Sequence, residues 1–138
     1  MDNDDNQSII VKGKMLWIEF AIRKDGTSPG KAFFASLHQR DQANLLKFFE
    51  YFANNGEAST HNEKLFKRER PPIYSFKRKT KYGPSGGIGL IRLPCFRREK
   101  RWIITHGFWK PPKSQWPESA FTEAIKIMNE VLSMENSQ

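Results

Sequence analysis

The sequence predicts a small α+β domain, in which a twisted sheet carries helices packed on one face. Three patterns predict it. Residues 14–23 alternate their side chains with the two-residue period of a strand, and two helical segments follow. Three strand-like segments with short connections then lead to a last amphipathic helix. Short connections favour antiparallel pairing of the later strands, and the first strand can cross over into the same sheet.

The two helices of the first half are predicted from their ends and their apolar faces. A short helix is expected over 29–37, because Ser28 can cap it and Pro29 suits the first helical position. A longer helix is expected over about 40–53, where apolar residues form a wide stripe. The glycine at position 56 is a typical signal for the end of such a helix.

The second half is predicted to be mostly strand. Residues 57–72 are polar and basic and end in two prolines, so we expect a loop. Strands are expected over 73–79, 88–96 and 101–109, with a glycine-rich connection after the first of them. A closing helix is expected from Pro117 onwards. The predicted order is strand, helix, helix, three antiparallel strands and helix.

The chain has 138 residues, the size of one ordinary domain. We expect residues 1–8 to form a disordered acidic tail and residues 9–138 to form the domain. Lysine and arginine together number 23 against 15 acidic residues, so the net charge is +8. A small domain this basic is predisposed to bind polyanions, such as nucleic acid or an acidic protein.

Several classes of protein are excluded by simple features. One cysteine, Cys95, cannot form an intramolecular disulfide framework. The acidic N-terminus lacks the regions of a secretory signal, and the apolar run over 15–22 is too short to span a bilayer. The sequence therefore predicts a cytoplasmic protein without a membrane partner.

Metal and cofactor chemistry have no motif in the sequence. The histidines and Cys95 lack the spacing of zinc ligands. The glycines of 83–89 lack the Gly-Lys-Ser/Thr of a phosphate-binding P-loop, and no nucleophile motif or carboxylate pair is present. The sequence therefore predicts neither a metal nor a cofactor.

Basic side chains are concentrated in the second half of the chain, close to aromatic residues such as Trp109. They are Lys64, Lys67, Arg68, Arg70, Lys77, Arg78, Lys79, Lys81, Lys110 and Lys113. A site for single-stranded nucleic acid needs cations to hold phosphates and rings to stack on bases. The alternative interpretation is a set of solvated loops.

Arg92 is an isolated charge inside an apolar strand. A buried arginine needs water, a carboxylate or a bound anion, because an unpaired buried charge is very unfavourable. A structural ion pair, for example with Glu19, is the alternative to an anion site.

The segment from Ile88 to Pro117 resembles the C-terminal half of the RelE/ParE superfamily of toxins, and the HigB-like, phage-related branch fits best. The motif residues are Arg92, the run Trp102–Lys110 with its His106-Gly107-Phe108, and then Lys113 and Pro117. The segment from Ile73 to Lys77 resembles the family strand that carries a basic residue. One departure is the pair Pro111-Pro112, where the family has a lysine and a threonine.

The resemblance implies a toxin of a type II toxin–antitoxin system that cleaves mRNA, usually on the ribosome, and is neutralised by a cognate antitoxin. ParE-like members share the fold but inhibit DNA gyrase, so the fold alone does not decide the function. A nucleic-acid-binding module without turnover is the third hypothesis. The nuclease chemistry uses the substrate's own 2′-hydroxyl as nucleophile, so it needs neither an enzyme nucleophile nor a metal.

With that chemistry, we expect Arg92 to stabilise charge on the phosphoryl oxygens. Lys77 is expected to act as base or phosphate clamp, and Lys110 and Lys113 are candidates for protonating the leaving group or binding RNA. His106 is a possible acid–base residue, although a packed histidine of the strand is the alternative. The expected RNA-binding residues are Arg68, Arg70, Arg78, Lys79, Trp109 and Lys113.

Overall fold

The computed structural model describes residues 8–137. The expected tail at residues 1–8 lies outside this range except for Ser8. The strands are β1 (Ile9–Lys12), β2 (Trp17–Phe20), β3 (Phe66–Arg70), β4 (Ile73–Thr80), β5 (Gly89–Arg98), β6 (Arg101–Ile104) and β7 (Phe108–Trp109). The helices are α1 (Pro29–Ala35), α2 (Gln39–Asn55) and α3 (Glu118–Asn136), and a 3-10 turn spans Glu57–Ser59.

The strands form one sheet in the order β1-β2-β6-β5-β4-β3, and β7 pairs with β5. Strand β2 runs parallel to β6, because the chain crosses over through α1 and α2 before it returns to the sheet. The other neighbours are antiparallel. The predicted α+β class, the crossover and the antiparallel pairing of the later strands are confirmed.

The structure differs from the prediction at residues 57–72, which were expected to be a loop. Residues 66–70 form strand β3, which pairs with β4 at one edge of the sheet. Its side chains after Phe66 are all charged, so the segment lacks the alternation of apolar and polar residues that predicts a strand. Charged side chains are typical of edge strands, because they hinder pairing with another sheet.

The predicted fourth strand, over 101–109, is interrupted in the structure. It consists of β6 and β7, separated by residues 105–107. Cys95 of β5 lies opposite Ile104 and Arg92 lies opposite Phe108, so one extra residue is accommodated between these pairs. Pro94 lies in this interval and has no N–H to donate to the ladder, which explains the break.

One apolar cluster lies between α2 and the sheet. Phe49 and Phe52 of α2 are fully buried against Phe76 of β4, with ring centroids 4.9 and 5.3 Å apart. Leu93 of β5 and Trp102 of β6 belong to the same cluster. Burying each large side chain stabilises the fold by about 1.5–3 kcal/mol, so α2 is held mainly by this contact.

A second apolar cluster joins α3 to the sheet. Ala124 and Ile127 of α3 are fully buried with Ile103 of β6 and Phe96 of β5. Ile103 follows directly after Trp102, and consecutive residues of a strand point to opposite faces. Along the strands, the residues that α3 covers alternate with those that α2 covers. This detail refines the expected packing of the helices on the sheet.

Ion pairs also hold α3. Its carboxylates Glu123 and Glu130 bind Arg23 with N–O distances of 3.1 Å. Near the end of the helix, Glu135 binds Arg101 of β6 at 2.7 Å, and this guanidinium lowers the pKa of Glu135. The helix therefore has a fixed position relative to the strands beneath it.

Gly107 of the His-Gly-Phe sequence allows a close approach between the β6–β7 connection and α1. A side-chain carbon at this position would overlap the ring of Phe33. The motif glycine is therefore explained by packing.

We expect Gly107→Ala to lower the free energy of unfolding by about 1–3 kcal/mol, because the added methyl group forces Phe33 to move. Urea denaturation of the two proteins measures the difference. Gly87→Ala is the matched control, since an added carbon there meets no atom within 4 Å. Equal free energies of unfolding for Gly107→Ala and the wild type would contradict the prediction, because they would show that Phe33 moves without loss of stability.

Candidate nucleic-acid interface

A cationic cavity of about 390 Å³ lies on the face of the sheet that α3 partly covers. We call it the Arg92 cavity. Its charged lining residues are Lys67, Glu69, Arg70, Lys77, Arg92 and Lys110. Trp116 and Phe121 form its apolar wall. Basic groups thus outnumber the one carboxylate in the lining, and the cavity is suited to an anion.

The pairing of three strands brings the predicted catalytic residues into this cavity. Lys77 of β4 lies directly opposite Arg92 of β5. On the other side of β5, the amide of Lys110 donates to the carbonyl of Leu90 at 2.8 Å. Leu90 and Arg92 are two residues apart, so their side chains share a face of the sheet. Residues distant in sequence therefore converge as the hypothesis of a cleavage site requires.

Arg92 is buried, with 8% of its surface exposed. Its Nη1 donates to the carbonyl of Ile91 at 2.9 Å, and no carboxylate among residues 8–137 forms an ion pair with it. Burial lowers the pKa of the guanidinium. Glu19, the acid considered as its partner, instead binds Arg101 at 2.8 Å.

Lys77 and Lys110 share the electrostatic influence of Arg92. Burial is the main cause that lowers the pKa of Lys77, and repulsion from Arg92 adds to it. The pKa of Lys110 is lowered by the same two causes in the same order. Glu69 opposes the shift at both lysines. A lysine with a lowered pKa is a better proton acceptor near neutral pH than an ordinary lysine.

Glu69 is the charged residue of the cavity that the sequence analysis does not identify. It lies on β3, and its Oε2 accepts a hydrogen bond of 2.6 Å from the hydroxyl of Ser75. Glu69 is not predicted as a site residue because strand β3 is not predicted. Glu69 and Lys67 share a face only if residues 66–70 are extended. The alternation of these two residues with Arg68 was the available signal.

Arg70 and Arg78 are already paired with carboxylates. Arg70 lies at the rim of the Arg92 cavity and binds Glu118 at 2.9 Å. Arg78 binds the buried Asp41 at the start of α2, with 2.8 Å between Nε and Oδ1. Asp41 also accepts a hydrogen bond of 2.6 Å from Thr80. This contact ties β4 to α2, so the structure gives Arg78 an anchoring contact besides its expected role in RNA binding.

A second depression, the Trp109 groove, has a volume of about 650 Å³ and adjoins the Arg92 cavity through Lys110. Its basic residues are Lys79, Lys110 and Lys113. Its apolar residues are Pro84, Ile88, Leu90, Trp109, Pro111 and Pro112. Three of the residues expected to bind RNA thus meet in one place.

A third depression of about 440 Å³ extends the basic surface beyond Lys77 and Arg92, which line it together with Lys64. We call it the Lys64 cavity. Lys79 lines both this cavity and the Trp109 groove. Arg68 lies exposed on β3, opposite Tyr74, and outside these three depressions. The three depressions form a continuous basic surface around Arg92.

His106 lies outside the lining of these three depressions. It is 8% exposed, its Nδ1 lies 3.0 Å from the hydroxyl of Thr105, and its ring stacks on Phe108. Burial lowers the pKa of His106 to about 4, so the imidazole is neutral at pH 7. These contacts support the structural interpretation of this histidine.

Residues 8–137 contain no group of three His, Cys, Asp or Glu side chains that could hold a metal ion. The helices in this part of the chain are also too short or too polar to cross a bilayer.

The burial of His106 predicts a pH dependence of stability. Its pKa lies near 6.5 in the unfolded chain and near 4 in the folded protein, so the unfolded chain binds the proton first as the pH falls. We expect this group to remove about 3 kcal/mol of stability between pH 7 and pH 4. Urea denaturation of wild type and His106→Gln at both pH values measures it. An identical loss in the two proteins would contradict the prediction.

The pairing of Lys77 with Arg92 on neighbouring strands predicts a coupled titration. We expect Arg92→Gln to raise the pKa of Lys77, because the variant removes a neighbouring positive charge. An NMR titration of the lysine side chains measures this pKa. Arg97→Gln is the control, since Arg97 binds Glu57 outside the cavity. The coupling would be refuted if both variants left the titration of Lys77 unchanged.

Comparison of the sequence with protein-family models finds no match. Comparison with curated proteins finds none either. The resemblance to RelE/ParE toxins stays a prediction from the motif residues.

Proposed function

We propose that this protein is a toxin of a type II toxin–antitoxin system, of the RelE/HigB type, which cleaves mRNA on the ribosome in the cytoplasm and so inhibits translation. The observation that carries the proposal is Arg92, a buried arginine without a carboxylate partner among residues 8–137, which lines a cavity together with Lys77 and Lys110.

The environment of Arg92 supports an anionic substrate. A buried charge without an ion-pair partner is unfavourable for folding, so an anion bound in the Arg92 cavity would stabilise this arginine. The planar guanidinium can donate to two phosphate oxygens at once, whereas a lysine offers a point charge. A phosphate in the Arg92 cavity would also reduce the repulsion among the basic groups around it.

The reaction transfers the phosphoryl group within the RNA. The 2′-oxygen loses its proton and attacks the adjacent phosphorus, so the bond from the 2′-oxygen to phosphorus forms. The bond from phosphorus to the 5′-oxygen of the next nucleotide breaks, and that oxygen takes up a proton. The products are a 2′,3′-cyclic phosphate and a 5′-hydroxyl.

The lining residues can carry each of these steps. Arg92 stabilises the negative charge that develops on the phosphoryl oxygens. Lys77, with its lowered pKa, or the carboxylate of Glu69 accepts the proton of the 2′-hydroxyl. Lys110 donates a proton to the leaving 5′-oxygen. Holding the 2′-oxygen, the phosphorus and the leaving oxygen in line supplies a further large part of the rate.

The surface around the cavity supports the partners of such a toxin. The Lys64 cavity and the Trp109 groove continue the basic surface beyond the Arg92 cavity. An RNA longer than one nucleotide, or the RNA of the ribosome, matches this charge distribution. A cognate antitoxin with an acidic segment would block it by covering the same surface.

Primer extension on a defined mRNA, translated by purified ribosomes, tests the proposal. We expect the wild type to produce new cuts and Arg92→Ala to reduce their rate roughly 100-fold or more. Arg97→Ala, which alters another arginine of β5, should cleave like the wild type. No cuts by the wild type, with or without ribosomes, would refute the proposal, and a gyrase supercoiling assay would then follow.

The same assay identifies the proton acceptor. Lys77→Met should abolish the cuts if the lysine is the base, and Glu69→Gln should do so if the carboxylate is. RNA affinity of Arg92→Ala, measured on a substrate without the attacking 2′-hydroxyl, separates binding from catalysis. Equal loss of affinity and cleavage would refute the role of Arg92 in the transition state.

A further inference from the structure

We propose that the Trp109 groove binds one nucleobase of a single-stranded RNA, next to the phosphate that Arg92 holds. This inference rests on the proposed function, because it places the base of a neighbouring nucleotide relative to the Arg92 cavity.

The groove offers apolar surface that is open to solvent. Ile88 is 65% exposed, which is unusual for so large an apolar side chain. It lines the groove with Trp109 and with the two prolines at 111 and 112. The aromatic ring of Trp109 can stack on a base, which is favourable for each of the four bases, and the neighbouring aliphatic groups add apolar contact.

Trp109 is held in place before any ligand binds. A carbon added at Gly89 would lie 2.7 Å from Cζ3 of Trp109, so the indole rests directly on the backbone of this glycine. On another side, the ring of Phe33 contacts the indole, with centroids 5.7 Å apart. A fixed ring loses little entropy on binding, so the groove is preorganised.

The charge of the groove indicates which ligand it takes. Its charged lining residues are the three lysines at 79, 110 and 113, and its lining contains no acid. An apolar surface bordered by cations fits a base with its flanking phosphates. Lys110 also lines the Arg92 cavity, so a chain that occupies the cavity continues into the groove.

The wall of the groove departs from the RelE-like pattern. Pro111 and Pro112 stand where the RelE-like pattern has a lysine and a threonine, and they replace polar side chains by apolar rings. This apolar wall is therefore not part of the RelE-like pattern.

Binding of short RNAs that cannot be cleaved tests the inference. The probes are fluorescent trinucleotides with 2′-O-methyl groups, one with three bases and three with a single abasic position. For the wild type, we expect one abasic position to weaken binding roughly 5- to 100-fold, as the loss of one stacked base does. An abasic site at either of the other two positions should weaken binding less.

Ile88→Ser is the main variant, because this exposed side chain can be replaced without disturbing the core. We expect it to weaken binding of the complete trinucleotide and to reduce the abasic penalty at the one sensitive position. Met15→Ser is the matched control, since it removes another large side chain that is 56% exposed but lies outside the groove. Trp109→Leu should act like Ile88→Ser, and circular dichroism checks its folding.

The outcomes separate this inference from the proposed function. An equal abasic penalty in the wild type and Ile88→Ser, or no sensitive position, would overturn the base subsite even if the primer-extension cuts are found. A wild type that binds none of the trinucleotides would overturn the subsite as well. Displacement of the RNA by an acidic apolar peptide, with no abasic penalty, would assign the groove to a protein partner instead.

Discussion

The pairing of β4 with β5 is the constraint on which the rest of the structure depends. Seven consecutive residues of β4 lie opposite seven of β5. With the two-residue period of a strand, this ladder sends Phe76 and Leu93 into the cluster under α2, and Lys77 and Arg92 to the other face. The register that builds the core is therefore the register that concentrates the positive charge. A slip of one residue would exchange the two sets, so core and cavity are determined together.

The distribution of acids explains how the domain tolerates this concentration of charge. The four carboxylates of α3 all bind arginines outside the floor of the Arg92 cavity: they are Glu118, Glu123, Glu130 and Glu135. Asp41 of α2 binds Arg78 of β4. These pairs strengthen the contacts between helices and sheet, and they leave Glu69 as the acid that faces Arg92. Perturbed groups gathered in a cavity are typical of functional sites.

Much of the fold could be predicted from the sequence because its signals are local. The strand at 73–79 became β4 over Ile73–Thr80, and the helix at about 40–53 became α2 over Gln39–Asn55. Strand β3 is difficult to recognise, because its alternating residues are all charged and only its pairing with β4 shows that they are extended. The break at 105–107 depends on Pro94 in the neighbouring strand, which no pattern within that segment reveals.

The candidate site was predictable to a different degree. Arg92 stands out because a charge interrupts an apolar strand, and Lys77 and Lys110 follow from the motif. That no carboxylate among residues 8–137 forms an ion pair with Arg92 could not be predicted, since Glu19, the acid considered as its partner, binds Arg101 instead. Glu69 is not among the predicted site residues, because the strand that carries it, β3, is not predicted either.

The ion pair between Arg70 and Glu118 has a consequence for how this surface would respond to salt. Binding of a polyanion releases the cations that were condensed on it, and the number released sets the dependence of affinity on ionic strength. A phosphate that displaces Glu118 from Arg70 releases one cation, but the freed carboxylate attracts another, so the exchange contributes little. Arg78, paired with Asp41, is neutralised in the same way. The number of released cations, which the ionic-strength dependence of binding measures, therefore reflects basic residues such as Arg92 and Lys110 that are not neutralised within the protein. We expect this number to be smaller than the number of basic residues at the surface.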